Sequence, residues 1–152
     1  MENTIRKVFH VEATIEQLYP MMEQLMEVID IAQDSGNRPP YTKESLLNVE
    51  VCFEEIYVNI VSYAYPDGVG SADISVEMTG DELVLVFEDS GIPYNPLEKA
   101  DPDLDEELLE RELGGFGIYI VKKLMDHVDY VYRNGKNHLT LTKLLLREEE
   151  EG

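Results

Sequence analysis

The sequence predicts an α+β fold, a two-layer α/β sandwich in which a mixed, mostly antiparallel sheet carries helices on one face. Two observations lead there. Apolar residues recur at helical spacing in three segments, near residues 15–33, 42–65 and 118–128. The remaining apolar runs include two pairs joined by "TGD" and "NGKN", turns with the chemistry of antiparallel hairpins. Strands paired in hairpins argue for a mainly antiparallel or mixed sheet with the helices on one face.

Taken in order, "TIRKVFHVEA" is short and rich in β-branched residues, which predicts a first strand. Thr14–Gln17, "TIEQ", has the form of a capping box and predicts the start of a helix through "IEQLYPMMEQLMEVIDIAQ". Its stripe is Leu18, Met22, Leu25, Met26 and Ile29, and Pro20 falls in the early turns, where a missing N–H matters least. "DSGNRPPY" breaks the pattern. A longer helix runs from Thr42 to about Tyr65, with Leu46, Val49, Phe53, Ile56 and Ile60 as its core face, and "PDGVG" stops it. The strands "ADISVEMT" and "ELVLVFED" follow. The second is nearly continuous apolar, which suits a central position. The acidic "LEKADPDLDEELLERE" has no sheet pattern and is long for a connection, so it reads as a lid. After "GGFG" a helix presents Ile118, Val121, Leu124, Met125 and Val128. The last hairpin is "YVYR" and "HLTLTKLL", and "REEEEG" forms a tail. One domain over residues 1–147 with an acidic tail at 148–152 is therefore expected.

Composition narrows the function. The chain has 152 residues, 43% of them hydrophobic and 29% charged, which suits a single globular core. It carries 12 basic and 32 acidic residues, a formal charge of −20. Such a charge repels nucleic-acid phosphate and anionic membranes, and the basic residues do not cluster to offset it. Cys52 is the only cysteine, so neither an internal disulfide nor a paired-cysteine zinc site is available. The N-terminus lacks a signal-like apolar segment and no window reaches about 20 apolar residues, so a cytoplasmic location is expected.

Three stretches carry chemistry. In "EEIYVN", Glu55 and Asn59 stand four apart on the Thr42 helix. Four residues turn a helix by about 400°, so both emerge on one face beside the core stripe. A carboxylate there could orient or deprotonate a nucleophile, and an amide oxygen suits Mg²⁺. Glutamate and asparagine at this spacing are also common on solvated helix faces. In "FEDSGIPYNP", Asp89 ends an apolar strand and Gly91 follows two positions on, offering an acceptor beside a flat approach surface, as an exocyclic purine amine requires. An ordinary Asp-Ser-Gly turn would look the same. In "ELGGFGIYIVKKLMDHV", Gly114, Gly115 and Gly117 stand just before a helical pattern, where backbone N–H groups can meet an anion. A hinge is the competing reading.

In this order and spacing, "EEIYVNIVSYAYPDG", "FEDSGIPYNP" and "GGFGIYIVKKLMDHVDYVYRNGKNHLTLTK" resemble the N, G1 and G2 boxes of the GHKL ATPase superfamily, which has the Bergerat fold. The wording is similar to its branch of bacterial serine-kinase anti-sigma factors, the RsbW and SpoIIAB type. The resemblance implies ATP and Mg²⁺ as cofactors. It implies Glu55 as general base, Asn59 as Mg²⁺ ligand, Asp89 as acceptor of the adenine amino group and Gly91 as the clearance for the ring. Gly115 and Gly117 would belong to a lid-to-helix turn whose amides hold the phosphates, with Gly114 at its entrance and Arg111 reaching from the lid. A sigma factor or equivalent regulator, a STAS-type antagonist bearing the target serine, and a homodimer are the implied partners.

This chain departs from the family at Tyr63, where histidine is frequent, and at Asn95, where aspartate is frequent. Asn137 and His138 stand where relatives often place a threonine near adenine, and no role is carried to them. His10, His127 and His138 lie far apart in strand or helix-end patterns, which suits structural positions better than metal ligation. A nucleotide-dependent binding module without catalysis would share Asp89, Asn59 and the glycines, and Glu55 is the residue that favours a kinase. An acidic interaction domain that binds no nucleotide would need three coincidences.

Overall fold

The computed structural model describes residues 3–98 and 113–149, with the backbone alone described for residues 113–116. The expected lid lies outside the described residues from position 99 onward, as do Arg111 and residues 150–152 of the tail. Strand β1 spans Thr4–Glu12, helix α1 Leu18–Gln33 and helix α2 Lys43–Tyr63. The hairpin β2 Ser71–Thr79 and β3 Glu82–Asp89 follows, then α3 Leu113–Leu124 and the hairpin β4 His127–Arg133 and β5 Lys136–Leu144. The sheet order is β1-β2-β3-β5-β4 and all four pairings are antiparallel, so the sheet is not mixed. β3 is its central strand, as its continuous apolar run predicts.

Each hairpin turns where backbone with positive φ is available. Gly80 has φ +58° between β2 and β3, and Asn134 and Gly135 have φ +56° and +75° between β4 and β5. The register then decides the faces. Phe9, Ile74, Val76, Leu85, Phe87, Leu139 and Leu141 point to one side and are buried there under the helices. Phe53 of α2 meets Phe87 of β3 with ring centroids 5.4 Å apart.

Local details differ from expectation in four places. Thr14 makes no side-chain cap, so the capping box does not form, and a 3-10 turn at Ile15–Gln17 leads into α1 instead. The buried face of α1 is Leu18, Met21, Leu25, Val28, Ile29 and Ala32. Met22 and Met26 pack at its margin, because the 3-4-3-4 spacing continues through Val28 and Ala32. On α2, Leu46 is only partly buried, while Cys52 and Tyr57 join the core. The Tyr57 hydroxyl donates to the Thr14 carbonyl at 2.6 Å. Finally, α3 stops at Leu124 and Val128 belongs to β4. Lys143 Nζ donates to the Leu124 carbonyl at 2.8 Å and the Asp126 N–H donates to Thr142 at 2.9 Å, so β5 ends the helix. Thr42, by contrast, caps α2 through a bond from the Ser45 N–H at 3.0 Å.

Arg147 fastens the far end of the sheet to the end of α1. Its guanidinium lies 4.5 Å over the Tyr41 ring, pairs with Asp81 at 3.2 Å, and donates to the carbonyls of Ala32, Gln33 and Pro39. Burial pushes the Asp81 pKa up, but hydrogen bonds from Arg38 and Tyr41 and the charge of Arg147 outweigh it and hold the carboxyl below its usual 3.8. Arg147→Ala should lower unfolding free energy in urea by roughly 2–4 kcal/mol, because the carbonyls of Ala32, Gln33 and Pro39 lose their donor together and Asp81 loses one of its three. A depressed carboxylate stabilises above its unfolded pKa and loses that contribution as pH falls through the folded value. Below about pH 4, Asp81→Asn should therefore flatten the acid decline of stability seen in the unsubstituted chain.

Candidate functional site

Helix α2 carries one edge of the site. Glu55 and Asn59 are half-buried beside the core stripe, as the helical rotation requires. Neither side chain makes a hydrogen bond among the described residues. Burial first, and then the charge of Glu54, raises the Glu55 pKa above its usual 4.5. Its carboxylate lies against Gly117 of α3 so closely that a Cβ on Gly117 would overlap Glu55 Oε2. A half-buried carboxylate and the glycine-rich segment are thereby brought together from positions 62 residues apart in sequence. Cys52, one turn earlier, is fully buried and its thiol is pushed up to about 12 by that burial, so it is no nucleophile.

Gly114, Gly115 and Gly117 stand inside α3, and not in a turn ahead of it as expected. Glycine costs a helix about 1 kcal/mol relative to alanine. At Gly117 that cost has a reason in the approach of Glu55. Gly114 and Gly115 fall in the first described turn of the helix.

One turn beyond Glu55, Asn59 lines an open cleft of about 450 Å³. The cleft is walled by Ile60 and Tyr63 from α2, Phe87 and Asp89 from β3, Ile92 and Tyr94 from the following loop, and Asn137 from β5. The rings of Tyr63 and Tyr94 stack at 6.0 Å across it. Asp89, 8% exposed, is the one charged residue that is buried among the described residues. Its Oδ1 accepts from the Gly91 N–H at 2.9 Å and from Asn137 Nδ2 at 2.9 Å. Gly91 also serves a contact within the protein. A Cβ there would overlap the Ala64 carbonyl at the end of α2, and the next residue, Ile92, donates its N–H to that same oxygen at 3.0 Å. Asn95 accepts from the Leu97 N–H at 2.9 Å and so starts the 3-10 turn Pro96–Glu98.

Asn137 is the residue that motif reading missed. It is 6% exposed and makes four hydrogen bonds. Its signal is in the alternation of "NHLTL", which puts Asn137 on the buried side with Leu139 and Leu141. The histidines stand elsewhere, on the open side of the sheet. His10 pairs with Asp73, and His138 lies 3.2 Å from Glu88. No cluster of three or more histidine, cysteine or acidic side chains suited to a metal occurs among the described residues, and none of their helices is long and apolar enough to cross a membrane.

The chain is similar to several known proteins. Residues 19–143 match the family described as the histidine kinase-like ATPase domain. The serine/threonine-protein kinase BtrW of Bordetella bronchiseptica is 34% identical over 93 residues, 60% of this chain and 66% of that protein. The serine-protein kinase RsbW of Halalkalibacterium halodurans is 26% identical over 145 residues, 92% of this chain and 88% of that protein. Among solved structures, the RsbU and RsbW domains of Rv1364c from Mycobacterium tuberculosis share the fold, with a TM-score of 0.64 at 16% identity. The match covers 94% of this chain, which spans 32% of that one.

Two glycine substitutions separate required contacts from tolerant ones. Gly91→Ala must displace the end of α2 and should cost about 1–3 kcal/mol in urea unfolding. Gly68→Ala, where an added Cβ meets nothing within 4 Å, should stay within about 0.5 kcal/mol of the parent.

Proposed function

Because the chain belongs to the histidine kinase-like ATPase domain family, we propose that it is an ATP-dependent protein serine kinase acting as an anti-sigma factor in a partner-switching pathway. Its substrate on this reading is a serine of a STAS-type antagonist, and its second partner is a sigma factor or equivalent regulator. The observation that carries the catalytic part is the packing of Glu55 on Gly117, one helical turn from Asn59 and the Asp89 cleft. Adenine then lies at the Asp89 end and the phosphates extend past Asn59 toward Gly114, Gly115 and Gly117.

The residues divide the work by position. Asp89 accepts a hydrogen bond from the adenine amino group, and Gly91 keeps the loop seated on α2 so that Ile92 and Tyr94 wall the ring. The amides of the first turn of α3 offset phosphate charge. Glu55 takes the proton of the serine hydroxyl as the Oγ–P bond forms and the bond from the γ-phosphorus to ADP breaks. Its raised pKa suits a group that must hold a proton briefly. With no cluster of protein ligands among the described residues, a metal is best carried on the nucleotide, and the unbonded Asn59 amide fits one ligand position of such an ion. Mg²⁺ held there would supply charge neutralisation on the phosphates.

A binding module that switches partners without catalysis has less support, since the matched relatives carry kinase names and Glu55 is present where a base is needed. A homodimer and a cytoplasmic setting complete the proposal.

Incubation with Mg-ATP and the cognate antagonist, followed by intact-mass measurement, tests the assignment. The antagonist should gain one phosphoryl group, and Glu55→Gln should slow that gain by about 10²–10⁴-fold. A normal rate in Glu55→Gln would remove the glutamate from its role. The base must be deprotonated to act, so the parent rate should fall as pH drops through a Glu55 pKa lying above 4.5, and this limb should vanish in Glu55→Gln.

A further inference from the structure

Asn137 and Asp89 are direct partners in the register of β5 against β3, both on the buried side at the end of the sheet that borders the cleft. The hydrogen bonds of Asn137 fix how its amide is turned. The Tyr94 N–H can only donate and reaches Oδ1 at 3.1 Å, while the Ile92 carbonyl can only accept and is met by Nδ2 at 2.9 Å. Nδ2 also donates to Asp89 Oδ1 at 2.9 Å, and Oδ1 also accepts from the Tyr130 hydroxyl. Two donors and two acceptors in one planar group are what a carboxamide supplies, and all four are used. Aspartate here would turn an acceptor toward Asp89 and the Ile92 carbonyl, and threonine has only one donor for the two acceptors.

The consequence falls on Asp89. With the Gly91 N–H and Asn137 Nδ2 both on Oδ1, rotation of the carboxylate would break two bonds at once. Among the described residues Oδ2 accepts nothing, yet none of their buried side-chain oxygens is left without a partner. Oδ2 is therefore not sealed off, and Asp89 lines the cleft, which leaves this oxygen as the acceptor available to an occupant. The same amide holds Ile92 and Tyr94, so the acceptor and the ring wall are locked to each other by one side chain.

We propose that Asn137 is a positioning residue for base selection: it fixes Asp89 Oδ2 as an acceptor that admits a purine bearing a 6-amino group and disfavours one that lacks it or carries a 6-oxo group. The proposal rests on the nucleotide-binding reading above. A donor-accepting site rejects an analogue without the donor because its buried acceptor is left unpaired.

Calorimetric titration of the full chain with Mg-ATP and with the triphosphate of purine riboside, which lacks the 6-amino group, tests it alongside thermal unfolding. The unsubstituted chain should favour ATP by at least about 10-fold. Asn137→Ala should bring that ratio to within about threefold of unity by weakening ATP far more than the analogue. Tyr130→Phe, which removes one bond to Asn137 and leaves the others, should move the ratio the same way by less. If Asn137→Ala does not fold, Tyr130→Phe decides alone. An unchanged ratio in the folded variant, or equal weakening of both ligands in step with lowered thermal stability, overturns the role of Asn137 and leaves nucleotide binding standing. Failure of the unsubstituted chain to bind ATP overturns both.

Discussion

The pairing of Asp89 with Asn137 is the constraint around which the rest of the cleft is arranged. Both side chains occupy inward positions of the sheet, where the same two strands place Phe87 and Leu139 two residues away. Such polar groups are costly unless every valence is met. Meeting them draws in the Gly91 and Tyr94 N–H groups, the Ile92 carbonyl and the Tyr130 hydroxyl. The loop after β3 is thereby folded against the end of β5. Its other edge is tied to Ala64, so α2 and the sheet cannot shift independently of the cleft wall.

The glycines divide along the same lines. Gly91 and Gly117 mark places where protein meets protein, the first at the carbonyl of Ala64 and the second at the carboxylate of Glu55. A glycine motif beside a ligand site need not be open to the ligand at every position. It can instead bring the elements that form the site within reach of each other.

Much of the fold was legible because it is written in local pattern. The alternation of β2 and β5, the apolar run of β3, the Asn134-Gly135 turn and the stripe on α2 each follow from neighbours within a few residues. Glu55, Asn59, Asp89 and the glycines were legible as types at compatible spacing. What sequence did not give depends on contacts between distant residues. The end of α3 is set by Lys143 and Thr142, so apolar spacing alone carries the helix on through Val128. The buried face of α1 is chosen by β1 and β2, between two nearly equivalent apolar stripes. The role of Asn137 required the register of β5 on β3.

The strand order has a bearing on how the chain reaches this state. β5, last of the strands in sequence, sits between β3 and β4, and Arg147 just beyond it grips the carbonyls at the end of α1. Those partners are 114 and 115 residues apart. Loops of that length must close before the contacts that reward them exist, which slows folding relative to a protein built from local hairpins alone. Until β5 arrives, the β1-β2-β3 sheet presents an open edge at β3, and Asp89 lacks the Asn137 carboxamide. During synthesis from the N-terminus, the cleft is among the last parts of the molecule to exist, and a chain interrupted before residue 137 has every residue of the first two motifs yet lacks the strand that sets Asp89 in place.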